Sequence, residues 1–524
     1  MENEVGKKKS PKLIIALVVT ALVLLGGSAS AFFILNKSPK IEYLMAEVNT
    51  IKQIGELFED RYKNEMQWME TQKKKPVEST FDLSAEWNDP DIDYDMEEVQ
   101  GIINSVTLSM RNVFDPVKKE TEFEMAGELG STEVKFGKVF ITPEKLLVAL
   151  PFMDDLIRFD DDDFGRLMKE QDVDYEGNEK LGLSQLFEDS FSTTEELNKH
   201  IEKEYLTYFF KELPETAFTS VKEDIEVFDK KINAKKIAMN LSEKEVKTLM
   251  KNIFKKVKED KKLKKMLEEQ LSIASFGSEI SPSELTELFE VYDEGLDEAI
   301  KGIDSLSIPN GIQSTIWQHS NKIVKRDFAM EIGEFEGEEA TIKVSGTQLL
   351  EKNEQKWKYT IAVIDADSDE EEVVKFVGDL KWKDQKAEDS ITISADSVKL
   401  LYKGKEKLDG KKRTFTRSLS LADGDTSPKL VWSGSATHES DSMKANHAFT
   451  VTEQGMEEDM YNLNVKQQGK VVKKVDMPVE SDDTVKLKDM NMTEIESYIE
   501  DDLGPKFLGW FMELMGDVES EIYN

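Results

Sequence analysis

The stretch "KWKYTIAVIDADSDEEEVVKFVGDLKWK", Lys356 to Lys383, contains two runs of alternating apolar and polar side chains around an acidic turn. Successive side chains of a strand point to opposite faces, so each run predicts a strand with one apolar face. Five more runs of this kind follow: "SITISADSVKLLYK" (Ser390–Lys403), "RTFTRSLSL" (Arg413–Leu421), "KLVWSGSA" (Lys429–Ala436), "HAFTVT" (His447–Thr452) and "MYNLNVKQQ" (Met460–Gln468). Together they predict a large antiparallel sheet whose apolar face is covered.

An earlier stretch, "TEFEMAGELGSTEVKFGKVFITPEKLLVALP" from Thr121 to Pro151, predicts three more strands joined by turns. Here the sequence resembles the curved-sheet carrier lipoproteins of bacterial envelopes, in which repeated hairpins wrap an apolar concavity. This resemblance implies that a lipid or another apolar ligand is held in a curved sheet.

The middle of the chain is predicted to be mostly helical. Thr193 to Glu196 form a capping-box arrangement, and "KKINAKKIAMNL" (Lys230–Leu241) predicts a strand followed by a helix capped at Ser242. This strand and helix resemble a unit of uncharacterised, membrane-anchored extracytoplasmic proteins of Firmicutes, a resemblance that implies no activity. A further helix is predicted around Ser283 to Gly302.

A long helix is predicted from Ile41 to Lys75, either as a stalk continuing a membrane helix or, as we favour, packed on the rest of the chain. Its apolar stripe consists of Leu44, Val48, Ile51, Ile54, Phe58, Tyr62, Met66 and Met69. At the other end of the chain, we expect a helix capped at Thr493 and an apolar segment, Lys506 to Met515, that closes the sheet of Ile312 to Gln467.

The N-terminal region predicts a membrane anchor. Leu13 to Leu35 contains no charged residue and is long enough, at about 1.5 Å per residue, to cross a bilayer core of roughly 30 Å. Four lysines precede this segment and two follow it, so the positive-inside rule keeps the N-terminus in the cytoplasm and exports the bulk. The alternative is a signal peptide cleaved after Ala31. The apolar run continues past this point through Phe32 to Leu35, which argues against cleavage.

Charge and composition exclude several classes of function. The first 40 residues carry a net charge of +4, which leaves −41 for the other 484 residues. Such acidity argues against nucleic-acid binding, which needs an excess of Lys and Arg. The chain contains no cysteine, so disulfides and thiolate zinc sites are excluded. We expect a cell-membrane protein of the envelope with a single span and an acidic extracytoplasmic part.

Two clusters are candidate binding sites. "DVDYEGNEKLGL" places Asp172, Asp174 and Glu176 at the spacing of an EF-hand loop, but Leu183 replaces the twelfth-position Glu, so we expect solvated acids or a loose divalent-cation site. A lysine patch is the candidate contact to anionic lipid or wall polymer, with pairing to the chain's own acids as the favoured alternative. Its members are Lys255, Lys256, Lys258, Lys261, Lys262, Lys264 and Lys265.

The predicted fold is α+β: an N-terminal transmembrane helix, then large antiparallel curved sheets with packed helices. The predicted parts are a cytoplasmic tail (1–12), the anchor (13–35), a helical stalk (36–76), a mixed α+β domain (77–310), an antiparallel β domain (311–490) and C-terminal helices (491–524). Catalytic motifs are absent from the sequence, so we expect no enzyme and no cofactor. The predicted role is to hold a lipid or apolar ligand in a curved sheet; the alternative is a structural or interaction protein that binds wall polymer or a membrane partner.

We predict that the span is retained in the mature protein. Peptide sequencing of the protein taken from membranes should find an N-terminal residue before Leu13, because the apolar run is continuous. A mature start at Phe32 would instead establish a cleaved signal peptide.

Overall fold

Helices and strands were both expected, and the computed structural model describes them over residues 38–129, 132–171, 175–187, 196–275, 282–334, 339–365, 368, 371–423, 428–452 and 460–522. The helices are α1 (Pro39–Arg61), α2 (Lys63–Gln72), α3 (Tyr94–Ser105), α4 (Asp163–Gln171), α5 (Thr207–Glu212), α6 (Glu243–Glu259), α7 (Lys261–Ser275), α8 (Pro282–Gly302), α9 (Met492–Tyr498) and α10 (Gly504–Ile522). Within these ranges no helix has the length and apolar character needed to cross a membrane. The predicted span, Leu13 to Leu35, lies outside the described residues.

The strands are β1 (Val77–Trp87), β2 (Val106–Asp115), β3 (Glu120–Leu129), β4 (Thr132–Ile141), β5 (Lys145–Ala149), β6 (Ile157–Asp160), β7 (Phe218–Val227), β8 (Lys230–Leu241), β9 (Leu306–Ser307), β10 (Ile312–His319), β11 (Lys322–Glu334), β12 (Glu339–Leu350), β13 (Glu354–Asp365), β14 (Glu371–Lys383), β15 (Lys386–Ala395), β16 (Val398–Asp409), β17 (Lys412–Asp423), β18 (Lys429–His438), β19 (Ser442–Thr452), β20 (Tyr461–Val471) and β21 (Val485–Lys486).

All of these strands belong to one open, curved sheet, in which the long strands pair as antiparallel hairpin neighbours. From one edge, the spatial order is β7, β8, β10, and then β11 through β20 in sequence. Next to β20 comes β1, followed by β2 through β6. The predicted antiparallel sheet and the three-strand meander of β3, β4 and β5 are therefore confirmed. So is the strand that leads into a helix capped at Ser242, where Ser242 and Glu245 form a capping box.

Helices α1 and α2, which we call the helix pair, run across the strands on one face of the sheet. Contacts advance strand by strand along the pair: Tyr43 bonds Ser314 on β10 at 2.6 Å, and Trp68 packs against Ala436 on β18. From Tyr43 to Trp68 the helices rise about 38 Å, and the nine strands from β10 to β18 also span about 38 Å at a spacing of about 4.8 Å. The favoured prediction, that this helix packs on its own chain, is confirmed.

The rotation of the helix pair differs from the prediction. Beyond Val48, the apolar stripe is largely exposed: Ile51, Ile54, Phe58, Met66 and Met69 are 37–49% exposed. The residues facing the sheet lie about one position earlier along the helix, a rotation of roughly 100°. They are Tyr43, Glu47, Thr50, Leu57, Arg61, Glu65 and Trp68.

Buried ion pairs explain this rotation. The carboxylate of Glu406 on β16 accepts bonds from Arg61 at 3.0 Å, Arg413 at 2.9 Å and Arg417 at 2.6 Å. Arg61 also bonds Asp389 on β15 at 2.7 Å. A buried guanidinium or carboxylate is tolerated only when it is paired, so the stripe that carries Arg61 must face the sheet.

The same pairing governs the titration of Glu406. Burial alone would raise its pKa, but the charges of Arg61 and Arg417 hold the pKa of Glu406 below its usual range. Because this pKa is lower in the folded than in the unfolded protein, the ion cluster stabilises the fold above the ordinary pKa of a glutamate. That contribution is lost as the pH falls through the lowered value.

Side chains fill the space beneath β8 to β12. Here the start of α1 packs with α5 and α6 over the sheet, and the fully buried residues include Leu44, Ile237, Ile316 and Met330. This end of the sheet's apolar face therefore forms a closed core.

The C-terminal segment lies elsewhere than predicted. Phe507 and Trp510 of α10 pack against Phe152, next to β4 and β5, and the expectation that Lys506 to Met515 close the sheet of Ile312 to Gln467 is wrong. The helix pair is what crosses that sheet. The preceding helix is capped by Asn491 with Glu494, two residues before the predicted Thr493.

Replacing Glu406 by leucine should lower the free energy of unfolding by about 3–5 kcal/mol, because three guanidinium groups lose their shared carboxylate in a buried place. Urea denaturation followed by circular dichroism measures the change. As a control, Glu70→Gln removes a carboxylate that pairs with Lys73 and Lys74 at the surface, and should leave the free energy of unfolding nearly unchanged. Equal stability of the two variants would contradict the proposed role of the cluster.

Candidate binding surfaces on the two faces of the sheet

The face of the sheet that contacts the helix pair, the helix face, becomes more exposed along β18 and β19 with distance from the helices. On β18, Ala436 beneath Trp68 is 8% exposed, whereas Leu430 at the other end of the strand is 40% exposed. On β19, exposure rises from 4% at Ala445 to 45% at Val451. The helix pair therefore covers only one half of this part of the apolar face.

Strand register aligns the uncovered residues into a row. Leu419, Leu430, Val451, Tyr461 and Trp87 are direct cross-strand partners on five neighbouring strands, β17 to β20 and β1. At about 4.8 Å between strands, this row is about 19 Å long. The side-chain rings of Trp87 and Tyr461 stack with their centroids 6.5 Å apart.

An aromatic strip lies between this row and the helix pair. The rings of Trp432 and Phe449 stack at 5.7 Å, and Phe415 meets Trp432 edge to face at 5.2 Å. The guanidinium of Arg417 lies 4.4 Å from the Trp432 ring. Aromatic and cation–π contacts of this kind hold the strip in one arrangement.

The strip connects the row to the exposed stripe of the helix pair. Arg417 contacts the hydroxyl of Tyr62 at 3.4 Å, and the Tyr62 ring stacks on Phe58 at 6.0 Å. Burial and the neighbouring Glu406 carboxylate raise the pKa of Tyr62 to about 12, so this hydroxyl stays protonated. We call the exposed apolar residues of the helix pair and of this part of the sheet together the open apolar surface. Its members are Ile51, Ile54, Phe58, Met66 and Met69 of the helix pair and Leu419, Leu421, Leu430, Val451, Tyr461 and Leu463 of the sheet.

The opposite side of the sheet, the far face, is polar and carries a groove of about 810 Å³ over β14 to β18. Most of its lining side chains point away from the helix pair, among them the acid Glu388 and the direct cross-strand neighbours Lys383, Lys386 and Lys407. A second depression of about 490 Å³ adjoins it and is lined by Lys403, Lys405 and Ser418.

The predicted divalent-cation residues are only partly within the described chain. Asp172 and Asp174 lie outside it. Glu176 is described and exposed, and the Glu179 carboxylate accepts bonds from the main-chain N–H groups of Glu176 at 2.6 Å and Gly177 at 2.8 Å. Among the described residues no cluster of acids and histidines is arranged to hold a metal ion. The loose cation site stays a prediction.

The predicted lysine patch lies on α6 and α7 and is partly neutralised by neighbouring acids. Lys256 pairs with Glu204 at 3.2 Å and Lys264 with Asp293 at 2.6 Å. Lys258 pairs with Asp297 at 2.5 Å. Lys265 also has a partner. For Lys255, Lys261 and Lys262, all exposed, the described part of the chain supplies no ion pair.

Next to this patch, Asp260 joins α6 to α7 and binds several groups. It accepts bonds from Tyr205 at 2.8 Å and from the Leu263 N–H at 2.9 Å, and contacts His200 at 2.7 Å. Burial opposes ionisation, but these bonds outweigh it and lower the pKa of Asp260 to about 2. These bonds fix the junction of α6 and α7. The contact of the lysine patch to an anionic surface stays a prediction.

The far-face lysines are not among the candidate residues identified from the sequence. Their signal is a period of two: Lys381 and Lys383 on β14, and Lys403, Lys405 and Lys407 on β16. In a strand, such spacing places every lysine on one face. The ion cluster around Glu406 was missed as well, because its members are separated by hundreds of residues.

Comparisons with known proteins give only remote likeness. No protein-family model matches the sequence, and no curated protein matches it. Among solved structures, Pseudomonas aeruginosa OccK3 is 5% identical with a TM-score of 0.23, over 76% of this chain and 94% of that one. Wzi, an outer-membrane protein involved in group 1 capsule assembly in Escherichia coli, is 6% identical with a TM-score of 0.24, over 84% and 92%.

Likeness at this level carries no argument about the fold or function of this chain. It also lends no support to the resemblance to Firmicutes envelope proteins.

Calcium should bind the loop of Asp172, Asp174 and Glu176 with a dissociation constant no tighter than roughly millimolar, because the twelfth-position Glu is missing. Isothermal titration calorimetry with calcium chloride measures this affinity. A micromolar dissociation constant that disappears in Asp172→Ala would defeat the prediction.

Proposed function

We propose that this protein is a membrane-anchored, extracytoplasmic binding protein that holds a lipid or another apolar ligand on the open apolar surface of its curved sheet. It binds without transforming its ligand. The observation that carries the proposal is the cross-strand row of Leu419, Leu430, Val451, Tyr461 and Trp87, about 19 Å long, in which the first four side chains are 40–45% exposed.

The physical argument rests on the amount of exposed apolar surface. Single exposed apolar side chains are common in soluble proteins, but contiguous patches beyond a few hundred Å² mark sites of interaction. Here an exposed helical stripe and an exposed row of the sheet are joined by an aromatic strip. Each methylene group that leaves water on such a surface contributes roughly 0.8 kcal/mol, which suits a long acyl or isoprenoid chain.

A filled core favours a second candidate function. The apolar face beneath β8 to β12 is packed with side chains, among them Ile237, Ile316 and Met330, so a ligand there has no space. A structural or interaction protein of the envelope, which binds wall polymer or a membrane partner, is compatible with such packing. In that case the open apolar surface is covered by a protein and carries no lipid.

Native mass spectrometry of the detergent-extracted, full-length protein tests the proposal. We expect co-purifying lipid with the wild type and its loss in the double variant Leu430→Gln and Val451→Gln, which places polar groups in the middle of the row. The matched control is Val377→Gln. Val377 is 41% exposed, like Leu430, but lies on the far face of β14, so its replacement should leave the bound lipid unchanged.

Wild-type protein without bound lipid would contradict the proposal and favour the interaction protein. Equal lipid content in the double variant and the wild type would also contradict it, because binding would then lie away from the row.

A further inference from the structure

We propose that the lysine groove on the far face, formed by β14 to β18, binds a linear polyanion that carries a phosphate or carboxylate group on each repeat. This site is independent of the proposed lipid surface, since the two lie on opposite faces of the sheet. The groove is defined by Lys381, Lys383, Lys386, Lys403, Lys405 and Lys407.

Unfavourable charge placement is the first argument. Lys383 is the direct cross-strand partner of Lys386, and Lys386 of Lys407, so three lysines on one face occupy neighbouring positions on adjacent strands. Directly opposed like charges destabilise a sheet. An anion bound between these lysines would remove the repulsion.

Lack of internal partners is the second argument. Lys381 pairs with Asp379 at 3.2 Å, but Lys383, Lys386, Lys403, Lys405 and Lys407 are exposed, and no ion pair engages them anywhere in the described ranges. By contrast, several lysines of α6 and α7 have acidic partners on α8. One acid, Glu388, also lines the groove as the direct cross-strand neighbour of Lys381 and Lys405. The lysines still outnumber it, so in a chain with a net charge of −37 the groove is a distinct positive site.

The shape of the groove indicates what occupies it. Lys403, Lys405 and Lys407 follow one another along β16 at about 6.7 Å, while Lys407, Lys386 and Lys383 are about 4.8 Å apart across the strands. Thr414, Thr416 and Ser433 complete the floor with small hydroxyl groups. A groove of about 810 Å³ with an adjoining depression of about 490 Å³ exceeds the needs of a single phosphate or carboxylate. Repeated charges along an extended chain fit it.

The test uses full-length protein in detergent and inorganic polyphosphate of defined length as the probe, with binding measured by calorimetry at several NaCl concentrations. The groove variant is Lys383→Gln, Lys386→Gln and Lys407→Gln. We expect its affinity to fall at least tenfold. The slope of log K against log [NaCl] should become shallower by about two, as expected for three lost contacts to a single-stranded polyanion.

The matched control is Lys222→Gln, Lys343→Gln and Lys473→Gln, which removes the same charge from three exposed lysines that lie outside the groove and outside the lysine patch and lack an ion pair in the described chain. Its affinity should stay within twofold of the wild type. Folding is monitored through the melting temperature, which the groove variant should keep or raise because repulsion is relieved. Polyglutamate replaces polyphosphate in a parallel titration: binding of both probes defines a general polyanion site, and binding of one alone assigns the group that the groove prefers.

Three results would overturn the inference: no polyphosphate or polyglutamate binding by the wild type, equal loss in the groove and control variants, or loss in the control alone. Vesicles of phosphatidylglycerol provide the last comparison. If the groove variant lost vesicle binding but kept its affinity for both polymers, the lysines would face a membrane, and the inference would be wrong.

Discussion

The carboxylate of Glu406, shared by Arg61, Arg413 and Arg417, is the interaction on which the arrangement of this protein depends. Desolvated charges cost several kcal/mol unless they are paired, and Arg61 finds its partners Glu406 and Asp389 where the helix pair crosses β15 and β16. The helix pair is therefore held in one rotation. Its charged stripe faces the sheet, and most of its apolar stripe beyond Val48 remains outside.

That rotation gives the two faces of the sheet opposite properties. On the helix face, the apolar side chains near the helix pair are buried, and those at the other ends of the strands are open. On the far face, the alternate side chains of the same strands are polar, with lysines concentrated on β14 to β16. Since the pleat separates the two sets completely, one sheet can hold an apolar ligand on one side and an anionic polymer on the other.

Sequence alone predicted the strands well and the packing less well. Alternation is a local property, so the strands from β13 to β20 and the capped helix after β8 followed from short stretches of residues. The rotation of the helix pair did not follow, because apolar periodicity favoured Ile51, Ile54 and Phe58, whereas the deciding contact joins Arg61 to a carboxylate 345 residues away. The position of α10 was missed for a related reason: its apolar residues required a partner, but periodicity does not identify Phe152 as that partner.

The candidate sites likewise combine features that are visible in the sequence with features that depend on tertiary structure. The lysines of the groove are visible in the sequence as a period of two, yet their convergence depends on the register between β14, β15 and β16. The open apolar surface depends on which half of the face the helix pair covers, and this is a tertiary property. Conversely, the lysines of α6 and α7 form a dense patch in the sequence, but the acids of α8 that pair with some of them come from a distant helix.

Fluorescence quenching by a brominated fatty acid tests the central claim, that the open half of the helix face binds apolar chains, most directly. Trp432 lies in the aromatic strip, whereas Trp317 packs with Val227 and Ala234 in a separate cluster. We expect the brominated chain to quench the wild type, and quenching to fall markedly when Trp432 and Trp87, which both lie on the open half of the face, are replaced by phenylalanine together. Quenching should persist in Trp317→Phe. Equal quenching in the two variants, or none in the wild type, would contradict the claim.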